Sequence, residues 1–336
     1  MKSRILTFSS KNTAVHEMHL DALSMYASAT QCDVIRGGSG FMVLFDLFSR
    51  SKKPHFLFVQ STGLVNILIL PLARFLNTKV VYYLHEPTPL NRKIKENSFF
   101  KAIVWHFVQF CDCMLANTIL VSHPILVKQA QSALLADPKK LSLAPLLMPE
   151  LRSTSPSYKF RITYLGRPDE RRFLRLFIDS AQLFIDLGFR PTILTGNPAD
   201  LEKLLFDIPS SIDVFDKPNF SEELKAQVLK ETLCLWNPKR GDISQSGVTA
   251  DAVRFGLAVL LTDKDPAYER LLQQGVAISF NASQKSEFKN LVDIDPLKVN
   301  VAAKKLFSEL HGEYAFIFSY QPIFSIGQTA RSVGDL

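Results

Sequence analysis

Short continuous apolar runs alternate with longer stretches in which apolar residues recur every third or fourth position, almost from end to end of the chain. The short runs predict strands at Ile5–Phe8, Phe56–Val59, Val80–Leu84 and Cys113–Ala116, with helices between them. Strands that are apolar on both faces belong to a parallel sheet with helices on either side. The pattern breaks over Pro145–Tyr158, where three prolines and three serines make the best linker in the chain. It restarts with Phe160–Leu165, then with a helical stretch carrying Phe173, Leu174, Phe177, Ile178, Ala181, Phe184 and Ile185 on one face. Further strands are predicted at Thr192–Leu194, Ile212–Phe215, Leu233–Trp236, Ala258–Leu261 and Val276–Ser279, and Val299–Gln328 reads as mostly helical. The economical α/β architecture is two doubly wound parallel-sheet domains facing a cleft, residues 1–150 and 151–312, with 313–336 as a closing helix.

Composition sharpens this picture at a few points. The 336 residues suffice for two ordinary domains, and 47% hydrophobic against 21% charged residues describes a globular chain. Residues 56–73 carry no formal charge, but Gln60, Ser61, Thr62, Gly63, Asn66 and Pro71 make them strand, glycine turn and buried helix rather than a membrane span. Cys32, Cys111, Cys113 and Cys234 show neither CxxC spacing nor neighbouring histidines, so reduced thiols, a cytoplasmic setting and no structural zinc are expected. The net charge of +7 lies wholly in the first half: residues 1–150 hold 16 Lys and Arg against 9 Asp and Glu, and residues 151–336 hold 23 of each. That half is therefore expected to meet an anionic partner. Residues Asn91–Phe110 interleave Arg92, Lys93, Lys95 and Lys101 with Phe99, Phe100, Trp105 and Phe107, which suits peripheral docking on the anionic inner face of a membrane. A buried helix with a basic first turn would explain the same residues. The basic residues form no dense strip suited to nucleic acid, and no GxGxxG follows the first strand, which argues against a dinucleotide-dependent oxidoreductase.

The segment Ser244–Asp263 carries the clearest chemistry. A polar loop, Gln245-Ser246-Gly247-Val248, opens a short helix ending at Gly256, and Asp251 stands one turn in. The free N–H groups of a helix N-terminus suit a phosphate, and a carboxylate one turn deeper can accept from neighbouring sugar hydroxyls. A diphosphate at the tip with a ribose beneath is how a nucleotide-sugar would sit there. Gly166-Arg167 ends a strand and Arg172 follows, two guanidinium groups able to pair with phosphate. His85 and Glu86 stand at the C-terminal end of an apolar strand, where open parallel sheets bind ligands. After the first strand comes Ser9-Ser10-Lys11-Asn12-Thr13, rich in donors but without glycine, while Gly37, Gly38 and Gly40 follow a later run.

Together these elements resemble the retaining glycosyltransferases of family four, which have the GT-B fold. Gly256-Leu257-Ala258-Val259 resembles the end of that family's donor signature, Asp251 falls on its second glutamate, and QSGV is similar to the polysaccharide-building members. Ile243 falls on the first glutamate, a departure from the pattern. The resemblance implies a metal-independent hexosyltransferase that needs no cofactor, takes a nucleotide-diphosphate sugar as co-substrate, and passes the sugar with retention to a glycan or lipid-linked acceptor. It implies that Arg167 and Arg172 hold the diphosphate, that Gln245, Ser246, Gly247, Val248 and Asp251 bind the rest of the donor, and that His85 reaches the transferred sugar. Ser10, Lys11 and Glu86 would face the acceptor, and the closing helix would pack back towards the N-terminal domain. The competing expectation is a GT-B-shaped binding protein without catalysis, favoured by Ile243, by the shorter Asp251 and by the missing glycine loop.

Overall fold

A computed structural model of the chain describes residues 3–9, 14–30, 32–38, 40–49, 54–87, 89–96, 98–149, 159–168, 172–203, 207–218, 220–238, 247–262, 268–280 and 285–325. It divides into two compact units, one formed by the chain to Pro149 together with the chain from Ser308 onward, the other by most of the chain between. Each is a six-stranded, wholly parallel sheet with helices on its faces.

The first unit begins β1 (Ser3–Phe8), α1 (Ala14–Ser28), β2 (Cys32–Arg36), α2 (Gly40–Phe48), β3 (Phe56–Val59) and α3 (Asn66–Phe75). It continues β4 (Lys79–Tyr83), α4 (Leu90–Glu96), α5 (Phe99–Leu115), β5 (Thr118–Val121), α6 (Pro124–Leu134) and β6 (Leu141–Leu143). The strand order is β2-β1-β3-β4-β5-β6, with Phe58 registered against Thr7 on one side and Val81 on the other. Alternation along each strand feeds two cores. Leu57, Val59, Val80 and Tyr82 point to the side of α2, α3, α5 and α6. Phe56, Phe58, Val81 and Tyr83 point to the side of α1, which the chain end also covers through Phe316, Tyr320 and Phe324. Tyr320 fixes that covering. Its hydroxyl donates to the Pro145 carbonyl at 2.8 Å and lies 3.1 Å from His19 Nε2, so its oxygen is left to accept from the imidazole. Nearby, His311 Nδ1 lies 2.7 Å from the Leu146 carbonyl, and the Met148 amide donates to the His311 carbonyl at 2.9 Å.

The second unit begins β7 (Arg161–Leu165), α7 (Leu174–Asp179), α8 (Ala181–Asp186), β8 (Arg190–Leu194), α9 (Pro198–Lys203) and β9 (Asp213–Phe215). It continues α10 (Glu222–Lys230), β10 (Thr232–Trp236), α11 (Gly247–Phe255), β11 (Ala258–Thr262), α12 (Glu269–Gln273), β12 (Ala277–Phe280) and α13 (Pro296–Leu310). The order is β12-β11-β10-β7-β8-β9. Trp236 is fully buried at the centre, with the rings of Phe177, Phe280 and Phe288 at 5.3, 5.4 and 5.7 Å.

Four expectations are corrected. Cys113–Ala116 is not a strand: α5 runs through Leu115 because Asp112 and Cys113 complete its buried stripe, and the strand is the β-branched run from Thr118. The stretch from Phe173 to Ile185 is two helices hinged at Ser180, and Ile185 is exposed. Residues 91–110 fall in two helices, α4 and α5, not one. Finally, α3 is buried on one side only, since Leu68 and Phe75 are exposed. Two strands carry no signal strong enough to be expected, β2 and β6, both at sheet edges where polar residues are tolerated.

Tyr320→Phe leaves the Pro145 carbonyl and the facing histidine without their partner in a buried site. It is expected to lower stability by about 1–2 kcal/mol, read as an earlier chemical-denaturation midpoint with the native circular dichroism unchanged.

Candidate functional site

In the second sheet the chain order reverses between β7 and β10: β7 leads towards β8 and β9, β10 towards β11 and β12. Ligands of open parallel sheets bind outside the strand C-termini at such a switch point. Here β7 runs into Gly166 at φ +102°, backbone that side chains rarely adopt. A Cβ at that position would lie 3.2 Å from Arg172 Nη1 and 3.9 Å from Val248 Cγ2, so loop, guanidinium and the first turn of α11 converge there. Arg172 is held from several directions. Its Nη2 donates to the Trp236 carbonyl at 3.3 Å, its own carbonyl accepts from Trp236 Nε1 at 2.9 Å, and its guanidinium lies 4.7 Å from the centre of the Tyr164 ring. Arg167 is exposed, with its carbonyl accepting from the Tyr164 hydroxyl at 3.0 Å. The N-terminus of α11 is tied to the end of β10 by Asn237 Nδ2, which donates to Thr249 Oγ1 at 3.0 Å. Backbone donors at the tip of α11 and a fixed cation beside them form an anion-binding arrangement.

Asp251 is turned inward. It is buried in the second unit, with Lys225 Nζ 2.9 Å from its Oδ1. Lys225 is also 2.9 Å from Glu222 Oε1, and Glu222 Oε2 lies 2.9 Å from Arg254 Nη1, which makes a chain of alternating charges between α10 and α11. Burial pushes the Asp251 carboxyl above the usual range, and Lys225 opposes the rise. Glu222 feels burial too, but Lys225 and Arg254 outweigh it and hold its carboxyl below the usual range. Lys225, Glu222 and Arg254 escaped sequence reading because no spacing links α10 to α11; a lysine in the helix before a buried strand is the only trace.

A cavity of about 310 Å³ opens in the first unit beyond the C-terminal ends of β3 and β4. Its wall includes Gln60 and Thr62 after β3, Tyr82, His85 and Glu86 at and after β4, and Trp105 from α5. The His85 ring lies 4.6 Å from the Tyr83 ring. Glu86 is exposed, and its carbonyl accepts from Gln109 Nε2 at 2.8 Å. Gln109 Oε1 in turn accepts from Lys93 Nζ at 2.6 Å, and burial pulls Lys93 down to about 8. Gln60 is fully buried, and among the described residues neither polar atom of its amide has a partner. A buried amide with unmet hydrogen-bonding capacity on a cavity wall marks a place for a polar ligand. Behind the wall, Asp112 is fully buried; Asn66 Nδ2 donates to its Oδ2 at 2.9 Å, and burial pushes its carboxyl up to about 7.

The structure thus gathers Gly166, Arg172, Gly247 and Val248 in one place and Asp251 just beneath it in the second unit, and it gathers His85 and Glu86 at a cavity of the first. Ser10, Lys11, Gln245 and Ser246 lie outside the described residues. Gln60, Trp105 and Gln109 were missed because a glutamine or tryptophan in an apolar run reads as core.

No protein-family model matches the chain, and no curated protein matches it in sequence. Solved structures do. Anabaena Alr3699/HepE in complex with UDP has a TM-score of 0.65 at 11% identity, over 94% of this chain and 96% of that one. Sucrose-phosphate synthase from Thermosynechococcus elongatus gives 0.64 at 11%, over 94% and 96%. WaaG, a glycosyltransferase involved in lipopolysaccharide biosynthesis, gives 0.61 at 11%, over 94% and 100%. At such identity the likeness shows the fold, and that fold is GT-B.

Two carboxylates provide tests. Asp251→Asn leaves the buried Lys225 with Glu222 alone and is expected to cost about 2–3 kcal/mol; adding Lys225→Met is expected to restore more than half of it in equilibrium unfolding. Asp112 keeps its proton in the folded state between its ordinary value of 3.8 and about 7. The stability this gives is full below the lower value and is lost as pH rises through the upper one. Asp112→Asn is therefore expected to flatten stability against pH over that window and to be more stable than wild type at alkaline pH, as measured by denaturation at a series of pH values.

Proposed function

We propose that the protein is a glycosyltransferase that takes a sugar from a nucleotide-diphosphate donor and passes it, with retention and without a metal, to a glycan or lipid-linked acceptor in cell-surface polysaccharide synthesis. The observation that carries this reading is the convergence of Gly166, Arg172 and the N-terminus of α11 at the switch point of the second sheet. The diphosphate would lie against the N–H groups at Gly247 and Val248, with Arg172 and Arg167 neutralising the charge that grows as the glycosidic bond breaks. The departing phosphate oxygen would take the acceptor's proton, so the reaction calls for no separate strong base. Asp251 would meet the ribose hydroxyls, with Lys225 opposing the rise that burial imposes on its carboxyl. The cavity of the first unit, with Gln60, Thr62, Tyr82 and His85 offering hydrogen bonds beside the Trp105 ring, has the chemistry of a sugar subsite. UDP-sugars are the first donors to test, since HepE is solved with UDP and with UDP-glucose. A cytoplasmic enzyme resting on the inner membrane face through residues 91–110 completes the reading.

The rival reading is a GT-B-shaped binding protein, and the commitment of Asp251 to Lys225 favours it. Isothermal titration against UDP- and GDP-sugars, followed by donor turnover, separates the two. Saturable binding of one donor is expected, weakened about a hundredfold in Arg172→Ala, which loses a charge-assisted phosphate contact. His85→Ala is expected to bind that donor as wild type does and to turn it over at least about tenfold more slowly. Absence of donor binding would sink the enzyme reading; binding without turnover would leave the binding protein.

A further inference from the structure

The outward faces of three neighbouring helices in the first unit are apolar, the reverse of the usual arrangement in which such faces are polar. Leu64, Leu68, Pro71 and Phe75 recur at helical spacing along α3 and its lead-in, and all are exposed, Leu68 by 70% and Phe75 by 82%. On α2 the exposed positions are Met42, Phe45 and Phe48. On α5 the exposed apolar positions are Phe99, Phe100, Ile103, Phe107 and Met114. The opposite sides of the same helices supply Val43, Leu47, Ile69, Leu70, Ala73 and Cys113 to the core, so the outer residues are not misplaced core. In the packed layer α2 lies against α3 and α3 against α5, which makes the surface continuous. An apolar patch of this extent on a globular unit marks an interaction surface.

We propose that this α2–α3–α5 face docks the protein on an anionic phospholipid bilayer, seating the aromatic side chains at the headgroup boundary. Charge selects this occupant. The exposed charges on α3 and α5 are Arg74 and Lys101, α2 carries the half-buried Asp46, and residues 40–101 hold nine Lys and Arg against three Asp and Glu. A second copy meeting this face would set one cationic surface against another, whereas an anionic leaflet complements both the rings and the charge. Among the described residues no helix is long and apolar enough to cross a membrane, so the contact is made by a face lying on the bilayer. The surface is wider than residues 91–110 and centres on α3. It deepens the membrane part of the proposed function and rests on that reading only there.

The test is flotation of the purified protein with neutral phosphatidylcholine vesicles and with vesicles in which about a third of the lipid is phosphatidylglycerol. Wild type is expected to float with the anionic vesicles, more weakly with the neutral ones, and less as salt rises. Changing one exposed residue per helix, Phe48→Ser, Leu68→Ser and Phe107→Ser together, is expected to weaken binding about tenfold or more while thermal unfolding stays as in wild type. Arg74→Glu with Lys101→Glu is expected to reduce binding to anionic vesicles alone. Failure to float with either vesicle, or flotation untouched by both sets of changes, overturns the proposal. So does a concentration-dependent dimer in light scattering that the apolar variant dissolves and vesicles do not. No donor or acceptor is present, so a failed transferase assay leaves this result standing, and failed flotation leaves the donor site standing.

Discussion

The second unit depends on the reciprocal clasp between Trp236 and Arg172. The indole is fully buried among Phe177, Phe184, Phe280 and Phe288, so it cannot shift without disturbing the centre of the core. Its N–H still needs an acceptor, and the Arg172 carbonyl is that acceptor; the Trp236 carbonyl in turn accepts from the Arg172 guanidinium. A long, flexible cation is thereby fixed by groups that the core has already ordered. The entropy that such a side chain would lose on gripping an anion is spent on folding instead. Gly166 completes the arrangement, because a side chain there would crowd Arg172 Nη1 in backbone geometry that only glycine adopts without strain. Gly256 plays the matching part at the other end of α11: its φ of +67° suits glycine, and a Cβ there would run into the Asn300 side chain of α13.

The alternation of strands and helices was legible because a strand covered on both faces must be apolar throughout, a signal that short apolar runs carry whatever their tertiary partners. The edge strand β2 lacks it: it reads Cys-Asp-Val-Ile-Arg, with Asp33 and Arg36 polar, since one side faces no neighbour. The end of α5 is illegible in sequence because Cys-Asp-Cys-Met-Leu has no helical stop, and the apolar run reads as part of the next strand. Asn117 draws the boundary, its backbone amide donating to the Val80 carbonyl and its Oδ1 accepting from the Val80 amide, both at 2.8 Å, a partnership between residues 37 apart that no local pattern carries. At the candidate site, Gly166, Arg172 and the start of α11 were legible since each sits at a strand or helix terminus, where the chemistry is local. The environment of Asp251 was not. A carboxylate one turn into a helix looks the same in sequence whether it faces solvent or a lysine on a neighbouring helix.

The two buried carboxylates show how differently one cost can be met. Asp112 has an amide for a partner and no cation on its bonded oxygen, so its cheapest state holds a proton up to about pH 7. Asp251 has Lys225, itself buried and itself anchored by Glu222, which opposes the rise that burial imposes on its carboxyl. A lone buried group meets the cost by holding a proton, whereas a chain of four alternating charges meets it by pairing. α11 thus carries a carboxyl with a buried cation beside it one turn from the helix tip, while Asp112, with an amide beside it, stands behind the wall of the cavity in the first unit.

The two units also treat their surfaces differently, although both are built on six-stranded parallel sheets. In the second half cations and carboxylates balance, and many are paired across elements: Arg161 joins Asp213 and Glu231, and Arg254 joins Glu222. In the first half the surplus cations have too few carboxylates to balance them, and many large apolar side chains are exposed. Neither feature helps a unit fold: surplus like charge repels, and exposed rings gain nothing from collapse already complete. Both are instead what association at a charged, apolar boundary requires. Folding alone accounts for the second unit's surface; for the first it leaves a remainder, and that remainder is concentrated on α2, α3 and α5.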